Sequence, residues 1–220
     1  RINEAALTSL SLAFPVQSLM IAVGAGTGVG INALLSRSLG EKNFTQANSA
    51  ANNGILLAFF SCIAFSILGF TCSRWFFSIQ TSDPQIIEYG VDYLGVIAGF
   101  SFGLFGQVVF ERLLQSTGKT IYSMITQATG AIINIILDPI LIFGLFGFPR
   151  LEVLGASIAT VIGQSCACVL AIIFNIKFNK EITLSFKGMR PQGTTIKRIY
   201  LVGIPSIIMS AIGSVMTFGM

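Results

Sequence analysis

Three residues in the run Ala131 to Gly144, AIINIILDPILIFG, carry chemistry that their neighbours lack: Asn134, Asp138 and Pro139. An Asp at the centre of a membrane helix costs about 2.5 to 3.5 kcal/mol on insertion scales, so a compensating role is expected. A carboxyl held there can bind and release a proton, or hold a cation when ionised, and either action suits an ion-coupled carrier. Asn134 lies four residues before Asp138 and so shares its helix face, and Ala131, Gly130 and Gln127 continue that face toward the inner side. Pro139 removes the backbone N–H that would bond the carbonyl of Ile135 and is expected to bend the helix. Two further stripes have the same small or polar character: Ser157, Thr160 and Gln164, and Gly103, Gln107 and Glu111. Gln107, Glu111, Gln127 and Gln164 are therefore candidates for the wall of a shared substrate cavity. Glu111 adjoins Arg112, and a paired charge at the membrane surface stays open as its other reading.

The elements that must hold these residues are membrane helices. Of the 220 residues 53% are hydrophobic and 10% charged, with a mean hydropathy of +0.81, against roughly a quarter charged in an ordinary soluble domain. Apolar stretches of about 20 residues, enough to cross a membrane, run from Leu7 to Leu35, Asn53 to Cys72, Val91 to Phe110, Ile121 to Gly147, Val153 to Ile176 and Ile199 to Met220. The fold class is all-α and polytopic. Arg1 is not an initiator Met, and the last stretch is still running at Met220, so a fragment of a longer chain is expected.

The net charge of +4 marks sidedness rather than affinity for nucleic acid. If the connections alternate across a bilayer, one side receives Arg37, Lys42, Arg112, Lys119, Lys177, Lys180, Lys187, Arg190, Lys197 and Arg198, and the other receives Arg1, Arg74 and Arg150. That imbalance puts the first set in the cytoplasm and the N-terminal end outside. The segment 177–198 reads as a basic cytoplasmic linker between a bundle at 1–176 and a new helix at 199–220. In TSDPQ, Asp83 is placed to cap a helix beginning at Pro84. Gly24 with Gly28, Gly26 with Gly30, Gly95 with Gly99 and Gly103, and Gly155 with Ala159 and Gly163 are spaced for close helix contacts. The four Cys read as packing residues, and with no His in the chain neither a metal site nor an enzyme's nucleophile and base is visible.

The segments INALLSRSLGEKN, FERLLQSTGKT, NIILDPILIFGLFGFP and LEVLGASIATVIGQ, in this order and spacing, resemble the multidrug and toxic compound extrusion (MATE) transporters. The resemblance implies a twelve-helix protein of two six-helix lobes, with this chain running from the second helix into the seventh, and Pro205 near the start of the second lobe. It also implies a cation or proton site at Asn134 and Asp138, with Thr160 as the partner on the next helix and a further Asp on a helix this chain lacks. Taken together, the reading is a multi-pass protein of the plasma membrane, monomeric when full-length and surrounded by lipid. It would exchange protons or sodium ions, with no cofactor, for small amphipathic or cationic organic compounds. A lipid-linked oligosaccharide flippase of related fold is the alternative, disfavoured by the scarcity of Arg and Lys within the spans.

Overall fold

The computed structural model describes residues 4–147, 149–183 and 191–218, and it is helical throughout those elements. The order is α1 (Glu4–Gly40), α2 (Phe44–Gln80), α3 (Pro84–Gly99), α4 (Phe102–Ser116), α5 (Thr120–Phe143), α6 (Glu152–Phe178) and α7 (Gly193–Phe218). Among the described residues five of these helices are long and apolar enough to cross a membrane, and α3 with α4 makes a sixth if the bent pair is counted as one span. Large apolar side chains such as Phe70, Trp75, Ile121, Ile135 and Ile176 face outward, as lipid contact requires.

The helix ends follow from local chemistry. Asn43 caps α2 by accepting the Gln46 N–H at 3.1 Å, and Asp83 caps α3 by accepting the Gln85 N–H at 2.9 Å, with Pro84 in the first turn. Gly118 turns the chain between α4 and α5 at φ 75°, and Gly144 ends α5 at φ 71°, both in the left-handed region. The predicted linker is shorter than the sequence suggests. Lys177 still belongs to α6 and Gly193 already begins α7; residues 184–190 lie outside the described residues.

The third span is not the continuous helix expected from Val91 to Phe110. It breaks at Phe100 and Ser101, and its halves meet at 41°. Ser101 is buried, and its hydroxyl turns to the Cys62 carbonyl of α2 at 3.4 Å. Flanked by Gly99 and Gly103, that serine sits in a context where helices commonly kink.

The glycines of α1 serve two partners. A Cβ on Gly24 would stand 3.5 Å from Phe105, and one on Gly28 would stand 2.9 Å from Arg112 Cγ, so this pair faces α4. A Cβ on Gly26 would meet Ile207, and one on Gly30 would collide with the Ile199 carbonyl oxygen, so that pair faces α7. Gly203 of α7 answers with a close approach to the Gly26 carbonyl, 2.9 Å from where its own Cβ would be. Gly95 departs from the expected pattern: nothing lies within 4 Å of a Cβ there.

A polar clasp ties the start of α7 to α2. The Ser49 hydroxyl donates to Gln192 Oε1 at 2.6 Å and lies 3.0 Å from the Thr195 hydroxyl. The Gln192 N–H donates to Asn53 Oδ1 at 2.9 Å, and the Thr183 N–H donates to Asn48 Oδ1 at 2.9 Å.

Gly30→Val should destabilise the full-length protein by about 1 to 3 kcal/mol, as overpacking of a tight contact does. Gly40→Ala, where a Cβ meets nothing within 4 Å, should leave stability unchanged. Thermal melting of the two variants in detergent checks the pair.

Candidate functional site

The second half of α5 and the first half of α6 approach backbone to backbone. A Cβ on Gly130 would lie 3.1 Å from the Gly163 carbonyl oxygen, and one on Gly163 would lie 2.8 Å from the Gly130 carbonyl oxygen and 3.4 Å from Asn134 Cβ. At the far end, Gly155 passes the Leu141 carbonyl as closely, and the Leu151 N–H donates to that carbonyl at 3.1 Å. Side chains on the facing stripes are thereby brought within bonding reach.

Asn134, Asp138 and Thr160 meet in this seam, all three half-buried. Asn134 Nδ2 lies 3.4 Å from Asp138 Oδ1 and 3.4 Å from Thr160 Oγ1. With the amide turned over, its nitrogen donates to Asp138 Oδ2 at 3.2 Å and its oxygen accepts the Thr160 backbone N–H at 3.2 Å, which satisfies both ends better. In either orientation the amide bridges the carboxylate of α5 to α6. The Thr160 hydroxyl donates to the Ala156 carbonyl at 2.9 Å, leaving its lone pairs toward the seam. The arrangement offers carboxylate, amide and hydroxyl oxygens to a proton or a hard cation. α5 remains helical through Pro139 to Phe143.

Two residues that the sequence reading passed over join α3 to α1. Tyr93, on α3 and 6% exposed, donates its hydroxyl to Gln17 Oε1 of α1 at 3.2 Å. A signal was available: a buried Tyr needs a partner for its hydroxyl, and this one stands beside Asp92 in the run VDYLGVIAG. No polar stripe on that half-span drew attention to it.

The residues predicted to share one cavity divide. Glu111, 4% exposed, accepts from Gln107 Nε2 at 3.0 Å, from the Thr126 hydroxyl at 3.0 Å and from Gln127 Nε2 at 2.8 Å. These side chains close on one another near the basic end of α4 and α5. Gln164 lies on α6 where Gly103 packs, and it makes no hydrogen bond among the described residues. The pairing of Glu111 with Arg112 does not form. The Arg112 stem crosses Gly28 of α1, and its Nη1 donates to Gln115 Oε1 at 2.7 Å. Consecutive helix positions project about 100° apart, which sends the two charges to different neighbours. Along α5 the two polar clusters stand eleven residues apart, about 16 Å at the helical rise.

Comparison with known proteins agrees with this architecture. The family described as MatE matches residues 1–140. The multidrug export protein MepA of Staphylococcus haemolyticus is 28% identical over 207 residues, covering 94% of this chain and 45% of its own length. A FAD transporter of Shewanella oneidensis is 35% identical over 175 residues, covering 78% of this chain and 38% of its own. The chain thus spans about half the length, or less, of these curated relatives. Among solved structures, the outward-facing conformation of a multidrug resistance MATE family transporter superposes with a TM-score of 0.92 at 23% identity, covering 99% of this chain and 48% of that one. The inward-facing conformation of such a transporter gives 0.89 at 24% identity, covering 96% and 47%.

Proposed function

The chain belongs to the MATE family, and on that footing we propose that it carries the ion-coupling half of an exporter that exchanges protons or sodium ions for small amphipathic or cationic organic compounds. The observation that carries the proposal is the Asn134 amide bridging the Asp138 carboxylate to Thr160 across the α5–α6 seam. The names of relatives, a multidrug export protein among them, support the cargo class.

The coupling follows from what each side chain can do. Ionised, Asp138 is an acceptor only; it takes the Asn134 N–H and attracts a cation that Asn134 and Thr160 oxygens help to hold. Protonated or cation-bound, it presents no net charge to the bundle. A state of the transporter that desolvates the site favours the neutral form, and a state that wets it favours the charged one, so the ion has the differential affinity needed to shift the equilibrium between them. Cargo released when the site fills outside, and taken up when it empties inside, completes an antiport cycle. Gln164, the one candidate cavity side chain without a hydrogen-bond partner among the described residues, is the polar group on α6 most available to cargo.

Asp138→Asn in the full-length protein should abolish gradient-driven efflux of a fluorescent organic cation from proteoliposomes, whether a proton or a sodium gradient is imposed; undiminished coupled efflux would remove Asp138 from the mechanism. Asn134→Ala keeps the carboxylate but removes its bridge. It should weaken the apparent affinity for the coupling ion roughly 10- to 100-fold, the usual loss when a ligand's orienting partner is removed, read from the ion concentration at half-maximal efflux. Because one relative is named a FAD transporter, the same vesicles should be offered a flavin dinucleotide, and transport of it in preference to the cation would reassign the cargo.

A further inference from the structure

The second cluster along α5 has the parts of an ion-exchanging site of its own. Glu111 is the buried carboxyl that the proposed cycle leaves unused, and no ion pair reaches it among the described residues. From α5 it is met by Thr126 and Gln127, and from its own helix by Gln107. From α6 the buried Cys168 thiol reaches the same helix at Gly106. Elsewhere on α4, Ser116 donates to Asn32 of α1 at 2.7 Å and Phe105 stacks on Phe65 of α2. The adjacent cation, Arg112, is held on the α1 side by Gln115, which in turn donates to Ser123 at 2.8 Å.

The donors decide which ion fits. Two amide N–H groups and a hydroxyl point at the carboxylate, whereas a metal cation would need oxygens pointing inward. A proton is the cation that this cluster admits without turning the amides away. Thr126 supplies the means of accommodating it. Its hydroxyl oxygen lies 3.0 Å from Glu111 Oε1 and 2.7 Å from the Ser123 carbonyl, and its one hydrogen serves one acceptor at a time. With Glu111 ionised the hydrogen points to the carboxylate. When the carboxyl takes up a proton, the Thr126 hydrogen turns to the Ser123 carbonyl, and its lone pair accepts the new carboxyl O–H. The cluster is satisfied in both states by one hydroxyl rotation.

Position supplies the connection. Gln127, which donates to Glu111, lies on the α5 face that continues through Gly130 and Ala131 to Asn134 and Asp138. Gly130 is closed off by Gly163 and Ala167 of α6, but Gln127 and Ala131 are exposed, so the accessible strip between the two clusters runs past Ala131. We propose that Glu111 is a second proton-exchanging carboxyl, the acceptor at the basic end of the bundle for the proton that Asp138 releases. The step moves one proton from Asp138 Oδ to Glu111 Oε, leaves Asp138 ionised, and consumes nothing else. The inference rests on the coupling role proposed for Asp138.

The test compares variants of the full-length protein in proteoliposomes, with efflux of a fluorescent organic cation measured over a series of internal and external pH values. Glu111→Gln, folded to the wild-type melting temperature, should lose roughly tenfold in proton-driven exchange, within the usual size of a linked-site effect, and should lose its dependence on internal pH. Glu111→Asp should recover part of that dependence. Thr126→Val, which keeps the carboxyl but removes the rotating hydroxyl, should displace the midpoint of the pH profile, and Thr126→Ser should restore it. A folded Glu111→Gln protein with wild-type rate and pH profile, beside an uncoupled Asp138→Asn, would leave Glu111 a structural knot and the Asp138 reading intact. If Glu111→Gln fails to fold, an unchanged profile in Thr126→Val overturns the inference instead. Coupled transport surviving in Asp138→Asn would overturn the Asp138 role and this inference with it.

Discussion

The approach of two bare backbones at Gly130 and Gly163 is the contact on which the candidate site depends. Each glycine lies where a Cβ would press on the other's carbonyl, so one methyl group on either helix would widen the seam. Asn134 already lies beside Asp138 on its own helix, and it reaches Thr160 because that gap is closed. In lipid, small residues are what allow such an approach, since the hydrophobic effect offers no drive between helices already surrounded by hydrocarbon. The polar residues then complete what packing begins, and the Asn134 N–H offsets part of the cost of half-burying Asp138.

The same logic divides α1 between two neighbours. Gly24 and Gly28 give α4 its access, while Gly26 and Gly30 do so for α7. A glycine at every second position is unhelpful to an isolated helix, where each costs about 1 kcal/mol relative to Ala. Here it follows from one helix presenting two smooth faces. The approach to α4 also carries the Arg112 stem across Gly28, and so parts Arg112 from Glu111.

Much of this was legible in the residues. Hydropathy located the spans, the four-residue spacing put Asn134 and Asp138 on one face, and Asp83 with Pro84 marked the start of α3. The family resemblance, not the spacing, added Thr160, because a stripe on one helix says nothing about which stripe on another it meets. The break at Phe100 and Ser101 was hidden for a related reason: the partner of the Ser101 hydroxyl there, the Cys62 carbonyl, lies on another helix. Gly95 shows the converse, since its spacing is right but no neighbour comes near. Glu111 was placed on the correct stripe, yet its partners lie on its own helix and on α5, and its separation from Arg112 became visible only with α1 in place. Tyr93 was missed because its role lies in reach across helices rather than in a motif.

The clasp between α2 and the start of α7 determines where α7 can pivot. With Gln192 and Thr195 bonded to Ser49 and Asn53, the first turn of α7 is anchored to α2 and does not swing from a slack tether. Any tilt of the rest of that helix has to begin beyond the anchor. Pro205 is the first residue there that lacks a backbone N–H, which leaves the Leu201 carbonyl without its helical donor. Past the anchor, Pro205 is thus the point of weakest backbone bonding in α7, within the apolar part of the helix.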